Sequence, residues 1–320
     1  MELLYLFEKT RNPVLDFFFS GVTHLGDEIA LLLIAIVLFW CVNKRSGYFM
    51  LVSGFFGILI NQTLKLACKI PRPWVKDPDF TIVESAREAA TGYSFPSGHT
   101  QNAVATFGAI NMTSEKKWIK IICIVCATLV GVSRMYLGVH TLWDVIAGVA
   151  CPIIILLVLE NFFMNDKLYD KSMPYIILAL TLATVGYFLY AAVFTKKTDD
   201  VNVINAAENA RTLIGCSLGL IVVYPIDKKF VKFETSSTWY GQIIKVSVGF
   251  VVILLLKTYL KPLLASFMGE YERCLRYFLI ILFGGLGWPA MFKYIAKIKI
   301  PVLDEFGKKV KSLLVKKAEK

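Results

Sequence analysis

An all-α, polytopic bundle of transmembrane helices is the fold class that this sequence predicts. Three observations predict it. Hydrophobic residues make up 56% of the 320 residues and charged residues only 18%, with a mean hydropathy of +0.60; a soluble domain sits nearer to roughly half apolar and a quarter charged. Several apolar runs approach the roughly 20 residues that cross a bilayer. Basic stretches recur between alternate runs, as the positive-inside rule expects.

Residues 1–25 carry Glu2, Glu8, Lys9, Arg11 and Asp16 among apolar residues. A cleavable signal has a basic start, an unbroken apolar stretch and a small-residue cleavage site, so this lead-in does not read as one. Leu3, Leu4, Phe7, Val14, Leu15, Phe18 and Phe19 fit a short amphipathic helix, broken at Pro13, at the membrane surface. A soluble helical lead-in fits them equally well. Spans are expected near 26–42, 47–68, 96–113, 118–137, 141–160, 174–194, 205–225, 242–260 and 275–296. The 205–225 run is the weakest, because Glu208 and Arg211 interrupt its start.

This layout puts Lys44-Arg45, Lys116-Lys117-Lys120, Lys167/Lys171, Lys228-Lys229-Lys232 and the tail from Lys293 on one side, which reads as cytoplasmic. The loops 69–95, 138–140, 195–204 and 261–274 fall on the other. Most of the net charge of +11 lies in the basic loops and the tail Lys308–Lys320. Membrane topology and anionic lipid account for it better than nucleic acid does, and the tail equally fits a plain solvated end. The seven cysteines lie nearly all in apolar runs and form no disulfide framework. Cys123-Ile-Val-Cys126 has redox or zinc spacing, but no second pair is near, so it reads as packing.

Two parts emerge. Residues 1–165 hold every chemical motif, as a five-span core with the N-terminal interfacial helix. Residues 166–320 hold about four further spans and no motif, and read as a packing or oligomerisation module. The oligomeric state stays open, a homodimer included. The short loops suit a bacterial plasma membrane.

Three clusters fall on the predicted outer side. Ionisable groups are rare in membrane helices and mark function by default. The first is Lys65-Leu-Ala-Cys-Lys-Ile-Pro-Arg72-Pro73. It can bring a point charge and a bidentate fork to one phosphoryl group; interfacial snorkelling is the ordinary alternative. The second is Phe95-Pro96-Ser97-Gly98-His99-Thr100. Pro and Ser start a helix there, whose free amides suit an oxyanion. Gly98 allows close approach, and His99 sits in the first turn. The alternative is a capped helix with an interfacial His. The third is Ser133-Arg134-Met-Tyr-Leu-Gly-Val-His140-Thr-Leu-Trp-Asp144. His140 and Asp144 are four apart and are expected to share a helical face. An Asp that accepts from one ring nitrogen frees the other as a nucleophile. The alternative is a buried His–Asp pair that holds two helices together. The chain has three histidines, and two of them fall in these clusters. The third, His24, reads as an interfacial residue.

As an ordered triple, the clusters resemble the signature of the type 2 phosphatidic acid phosphatase superfamily: K-x6-R-P, then P-S-G-H, then S-R-x5-H-x3-D. Lys65 to Pro73, Pro96 to His99 and Ser133 to Asp144 match it in residue and spacing. The resemblance implies that His140 forms a phosphohistidine and that Asp144 orients it. It implies that His99 protonates the leaving oxygen and then activates water. Lys65, Arg72, Arg134, Ser97 and Gly98 would cradle the phosphate. Similar proteins need no metal or other cofactor, and no outer loop has a carboxylate or histidine cluster suited to Mg or Zn. Soluble relatives hold vanadate and act as haloperoxidases, which the many spans here argue against. Membrane relatives act on lipid phosphates near the outer face. The expectation is therefore a metal-independent lipid phosphatase acting on undecaprenyl diphosphate, phosphatidic acid or phosphatidylglycerol phosphate. A phosphotransferase with the same site is the first alternative. A non-catalytic transporter is the second, and the scarcity of polar residues mid-membrane in 166–320 argues against it. The loop Trp74–Tyr93 lies between the first two clusters and is expected to overhang the site.

Overall fold

The computed structural model describes residues 1–88, 90–195 and 201–307. The tail Lys308–Lys320 and part of the 195–204 loop lie outside them. All regular structure among the described residues is helical. The N-terminal half runs α1 (Glu2–Thr10), α2 (Pro13–Thr23), α3 (Glu28–Val37), α4 (Lys44–Cys68), the single turn α5 (Pro73–Lys76), α6 (Gly98–Thr113), α7 (Lys117–Tyr136) and α8 (Leu142–Met164). The C-terminal half adds α9 (Asp166–Thr195), α10 (Val201–Ile226), α11 (Trp239–Met268) and α12 (Glu272–Leu282).

The helix ends follow local chemistry. Asn12 accepts from the Val14 and Leu15 amides ahead of Pro13, which separates α1 from α2 where the sequence predicts a break. Asn43 caps α4 through the Ser46 amide. Thr238 caps α11, which ends at Gly269 with φ +54°. Beyond Gly269 the chain folds back on itself. Arg276 donates to the Lys257 carbonyl at 2.8 Å, and Trp288 Nε1 to that of Lys245 at 2.8 Å.

Among the described residues, six helical stretches are long and apolar enough to cross a membrane; the bent pair Pro13–Gly26 and Glu28–Val42, at 52°, makes a seventh if it is one span. The sequence suggested nine. The difference lies in α6 and in the α11–α12 hairpin. α6 has only 16 residues, about 24 Å at 1.5 Å per residue. It packs against α4, α7 and α8 and is buried on most sides, from Thr100 to Phe107. The hairpin, Trp239–Ile295, counts there as one apolar stretch, but its two arms fold back on each other and correspond to the two expected spans 242–260 and 275–296.

α8 and α9 meet at Asn165, yet the two halves share one core. Phe39, Trp40, Tyr48 and Phe49 pack with Phe233, Ile253, Ile280 and Phe292. Trp40 Nε1 donates to the Gly284 carbonyl at 2.9 Å. At one end of the bundle, Lys44 pairs with Asp227 and Lys228 with Asp170, at 2.8 and 2.9 Å, and Arg45 pairs with Asp166. These basic residues come from the alternate loops that the charge pattern grouped together. The three motif clusters gather at the opposite end.

Candidate active site

Each motif residue sits at a helix end or in the turn beside one. Ser97 caps α6, its hydroxyl 3.4 Å from the Thr100 amide, and its own amide donates to the Asp144 carbonyl at 3.0 Å. The Gly98 and His99 amides find no acceptor among the described residues. A Cβ on Gly98 would meet nothing nearer than Asn61 Oδ1 at 3.9 Å, so this helix start faces open space. Gly148 lets α8 close on it, because a Cβ there would stand 2.8 Å from the Ser97 carbonyl oxygen.

The turn between α7 and α8 carries His140. Gly138 adopts φ +80°, a left-handed conformation that favours glycine. Thr141 then caps α8 in a reciprocal capping box with Asp144. This corrects the expected shared helical face: His140 precedes α8 rather than lying on it. Asp144 Oδ2 accepts from the Thr141 amide and from the Ser94 hydroxyl, both at 2.7 Å. It stands 3.7 Å from His140 Nδ1, which has no hydrogen-bond partner among the described residues. The two groups are close but not bonded, because the cap and Ser94 hold the carboxylate back.

Two arginines flank His140, and they differ in kind. Arg72 is fixed by backbone carbonyls. It donates to Gly92 at 3.1 Å, Thr91 at 2.7 Å and Val139 at 3.0 Å, and its NH1 lies 2.8 Å from His140 Nε2. Arginine can only donate, so Nε2 accepts and the ring proton sits on Nδ1, facing Asp144. Arg134 is 1% exposed and donates to the Thr23 hydroxyl at 2.6 Å, while its Nε and NH2 reach no acceptor among the described residues. Lys65 donates to the Tyr93 carbonyl at 2.9 Å. Burial, then the charges of Arg72, Arg134 and Lys65, hold His140 well below the usual histidine range, so its ring is neutral.

His99 Nε2 lies 2.9 Å from Asp27 Oδ1, poorly aligned for a hydrogen bond, and Asp27 also meets His24 at 2.7 Å. His24 is exposed, as an interfacial residue would be. The turn that carries Asp27 packs tightly on α6: a Cβ on Gly26 would stand 2.6 Å from the His99 carbonyl oxygen. The structure thus brings Lys65, Arg72, Ser97, Gly98, His99, Arg134, His140 and Asp144 to one end of the bundle. It adds Thr23, Asp27 and Ser94, which sequence reasoning did not single out. Ser94 precedes the second motif by two residues, and nothing in its spacing marks it. The loop Trp74–Tyr93 forms a wall of the site through its last three carbonyls. Among the described residues, no three His, Cys, Asp or Glu side chains group as a metal site would need.

Comparison with known proteins identifies the family of the chain. The family model described as the PAP2 superfamily matches residues 46–167. The model described as the PAP2 superfamily phosphatase transmembrane extension matches residues 211–298. Phosphatidylglycerophosphatase B of Bacillus subtilis is 31% identical over 176 residues, covering 51% of this chain and 82% of that protein. Undecaprenyl-diphosphatase BcrC of Bacillus subtilis is 30% identical over 194 residues, covering 60% and 92%. The crystal structure of Aquifex aeolicus LpxE matches with a TM-score of 0.44 at 29% identity, covering 49% of this chain and 92% of that one. The chain is a multi-span membrane member of the PAP2 superfamily, with that superfamily's phosphatase transmembrane extension following its motif-bearing half.

Proposed function

We propose that this protein hydrolyses a lipid phosphate through a phosphohistidine at His140, without a metal. The observation that carries this reading is the convergence of three cations and two free helix amides on a neutral, buried imidazole. Arg134 supports it most directly, because a buried guanidinium with open donors is stabilised by an anion.

Nε2 of His140 attacks phosphorus, and the P–N bond forms as the bond to the leaving oxygen breaks. His99 gives its proton to that oxygen. Arg72 NH1 passes from Nε2 to a phosphoryl oxygen, while Arg134, Lys65 and the Gly98 and His99 amides take the remaining charge. Asp144 stabilises the cationic ring. His99 then removes a proton from water, hydroxide breaks the P–N bond, and inorganic phosphate leaves with His140 neutral again. The cations do the work that a metal would otherwise do on the equatorial oxygens.

A lipid substrate fits two features. The relatives named above are lipid phosphatases by name. An apolar groove of about 510 Å³ runs between α6, α7 and α8, lined by Phe107, Ile124, Val132 and Leu156. Its lining includes Met135 and Val145, the neighbours of Arg134 and Asp144, so a tail lying there puts its phosphate at the site. The basic pairs at the other end of the bundle favour a cytoplasmic position for that end and an outer position for the site.

The test is phosphate release by the detergent-purified protein, with EDTA present, from undecaprenyl diphosphate, phosphatidic acid and phosphatidylglycerol phosphate. Release from at least one, lost in His140→Ala, is expected. Full activity in that variant removes His140 as nucleophile, and inhibition by EDTA that Mg reverses removes the metal-free mechanism. Transfer to an added alcohol in place of hydrolysis would make the protein a transferase.

A further inference from the structure

The start of α10 is unusually polar for an apolar helix, with Asn202, Asn205, Glu208, Asn209 and Arg211 in its first turns. Such groups are costly against lipid and face cavities or partners instead. Asn202, Asn205 and Asn209 are three and four residues apart and share one face. That face borders a polar cavity of about 300 Å³. Gln62, Lys65 and the loop residues Thr91 to Tyr93 line its other wall. Arg273, at the start of α12, also lines it and pairs with Glu208 at 2.6 Å.

The loop wall is shared with the phosphate site. The Thr91 and Gly92 carbonyls hold Arg72, and the Tyr93 carbonyl holds Lys65. Lys65 belongs to both, so a molecule whose phosphate meets Lys65 reaches the edge of the cavity. The wall chemistry is specific. The side-chain amides of Gln62, Asn205 and Asn209 are half-buried and make no hydrogen bond among the described residues, which leaves them open to a ligand or water. Amides both donate and accept, as hydroxyl groups do. Glu208 and Arg273 cancel in charge, which leaves Lys65, the cation shared with the phosphate site, as the one net charge of the lining and the one a substrate's phosphate would engage. The cavity is thus suited to a neutral, hydroxyl-bearing group. Its volume of about 300 Å³ has room for a glycerol or a single sugar ring.

We propose that this cavity is a head-group subsite, built by the C-terminal extension, for the polyol part of a lipid phosphate. The inference rests on the phosphatase reading above. It gives α10 and the start of α12 a role in choosing the substrate rather than in packing alone.

The test uses the full-length protein and three substrates with the same acyl chains: phosphatidic acid, phosphatidylglycerol phosphate, and a glycolipid whose phosphate is borne by a sugar. In Asn205→Leu/Asn209→Leu, kcat/KM on a polyol-headed substrate should fall roughly tenfold, the worth of two neutral hydrogen bonds. On phosphatidic acid it should stay within about twofold. Whichever of the glycerol and sugar lipids loses rate names the head group. Asn209→Ala should show a smaller loss of the same kind if the double variant does not fold. An equal fall on phosphatidic acid, or no fall on either headed lipid, overturns the subsite. A second readout does not need turnover: protection of the purified protein against heating by short-chain forms of the same lipids. Selective protection by a headed lipid, lost in the variant, supports the subsite even if no phosphate is released, which would sink only the catalytic reading. Equal protection by all three lipids, with turnover intact, overturns the subsite alone.

Discussion

Replacing Arg134 with Met should separate stability from activity. The guanidinium is 1% exposed, and of its five N–H donors the three on Nε and NH2 find no acceptor. Only the bond to Thr23 is secure, at 2.6 Å. Removing it costs about 1 kcal/mol. Removing a buried charge with open donors relieves a penalty of several kcal/mol, and Met is flexible enough to fill the space. Asp27, on the same turn as Thr23, keeps its contacts with His24 and His99. The variant should therefore melt at the same temperature or higher. Its reaction, by contrast, loses at least two charge-assisted donors to the transferred phosphoryl group. At about 1.5–3 kcal/mol each, the barrier rises by roughly 3–6 kcal/mol, and kcat/KM falls roughly 10²- to 10⁴-fold. The assay is phosphate release beside thermal unfolding in the same detergent, with Arg134→Lys as a variant that keeps charge without the fork. Activity within tenfold of wild type refutes the reasoning. So does a melting temperature that falls in step with activity, since Arg134 would then be a structural residue.

Three further outcomes follow from the same geometry. Gly148→Ala should lower both activity and stability, the latter by about 1–3 kcal/mol, because its methyl meets the Ser97 carbonyl at 2.8 Å; Gly186→Ala, inside α9 with nothing within 4 Å, should leave activity unchanged, and equal behaviour of the two variants in phosphate release would refute the close approach of α8 to the start of α6. Ser94→Ala should reduce kcat about tenfold by removing one of the two donors that place the Asp144 carboxylate, and a steady-state rate equal to wild type would take Ser94 out of the site. The acid limb of kcat/KM should lie below the usual histidine value of about 6.5: His140 is pushed down, protonation removes its lone pair, and activity is lost only as pH falls through the lowered value. A pH–rate profile whose nucleophile titrates at or above that value contradicts the buried, neutral ring.

The motifs were legible because their spacing is local and their chemistry is sparse. Only three histidines exist, and the two within the motifs stand at predicted helix ends. What spacing could not show was the side-chain geometry around them. Four residues between His140 and Asp144 suggested one helical face, but the glycine turn and the Thr141 cap place the histidine ahead of the helix. Ser94 and Asp27 reach the site through loops whose paths depend on tertiary packing. The same holds for α6, which reads as a span by composition but is short and enclosed. The polar start of α10 was visible as a weakness in an apolar run. Its meaning needed the facing wall, supplied by residues more than a hundred positions earlier.

The site's position at one end of the bundle follows from what lipid permits. Within the hydrocarbon, every backbone group is tied up in its own helix, so free amides and sharp turns are available only at helix termini. The starts of α6 and α8 and the end of α7 supply them together. Cations placed at such ends can be fixed by loop carbonyls, as Arg72 and Lys65 are, leaving Arg134 as the cation whose open donors await an anion. The carbonyl-bound pair sets the position, and the open guanidinium supplies the attraction. A substrate that brings its own negative charge completes the second without disturbing the first. On the proposed mechanism, this division would account for a buried charge with open donors beside a histidine that has to stay neutral until it attacks.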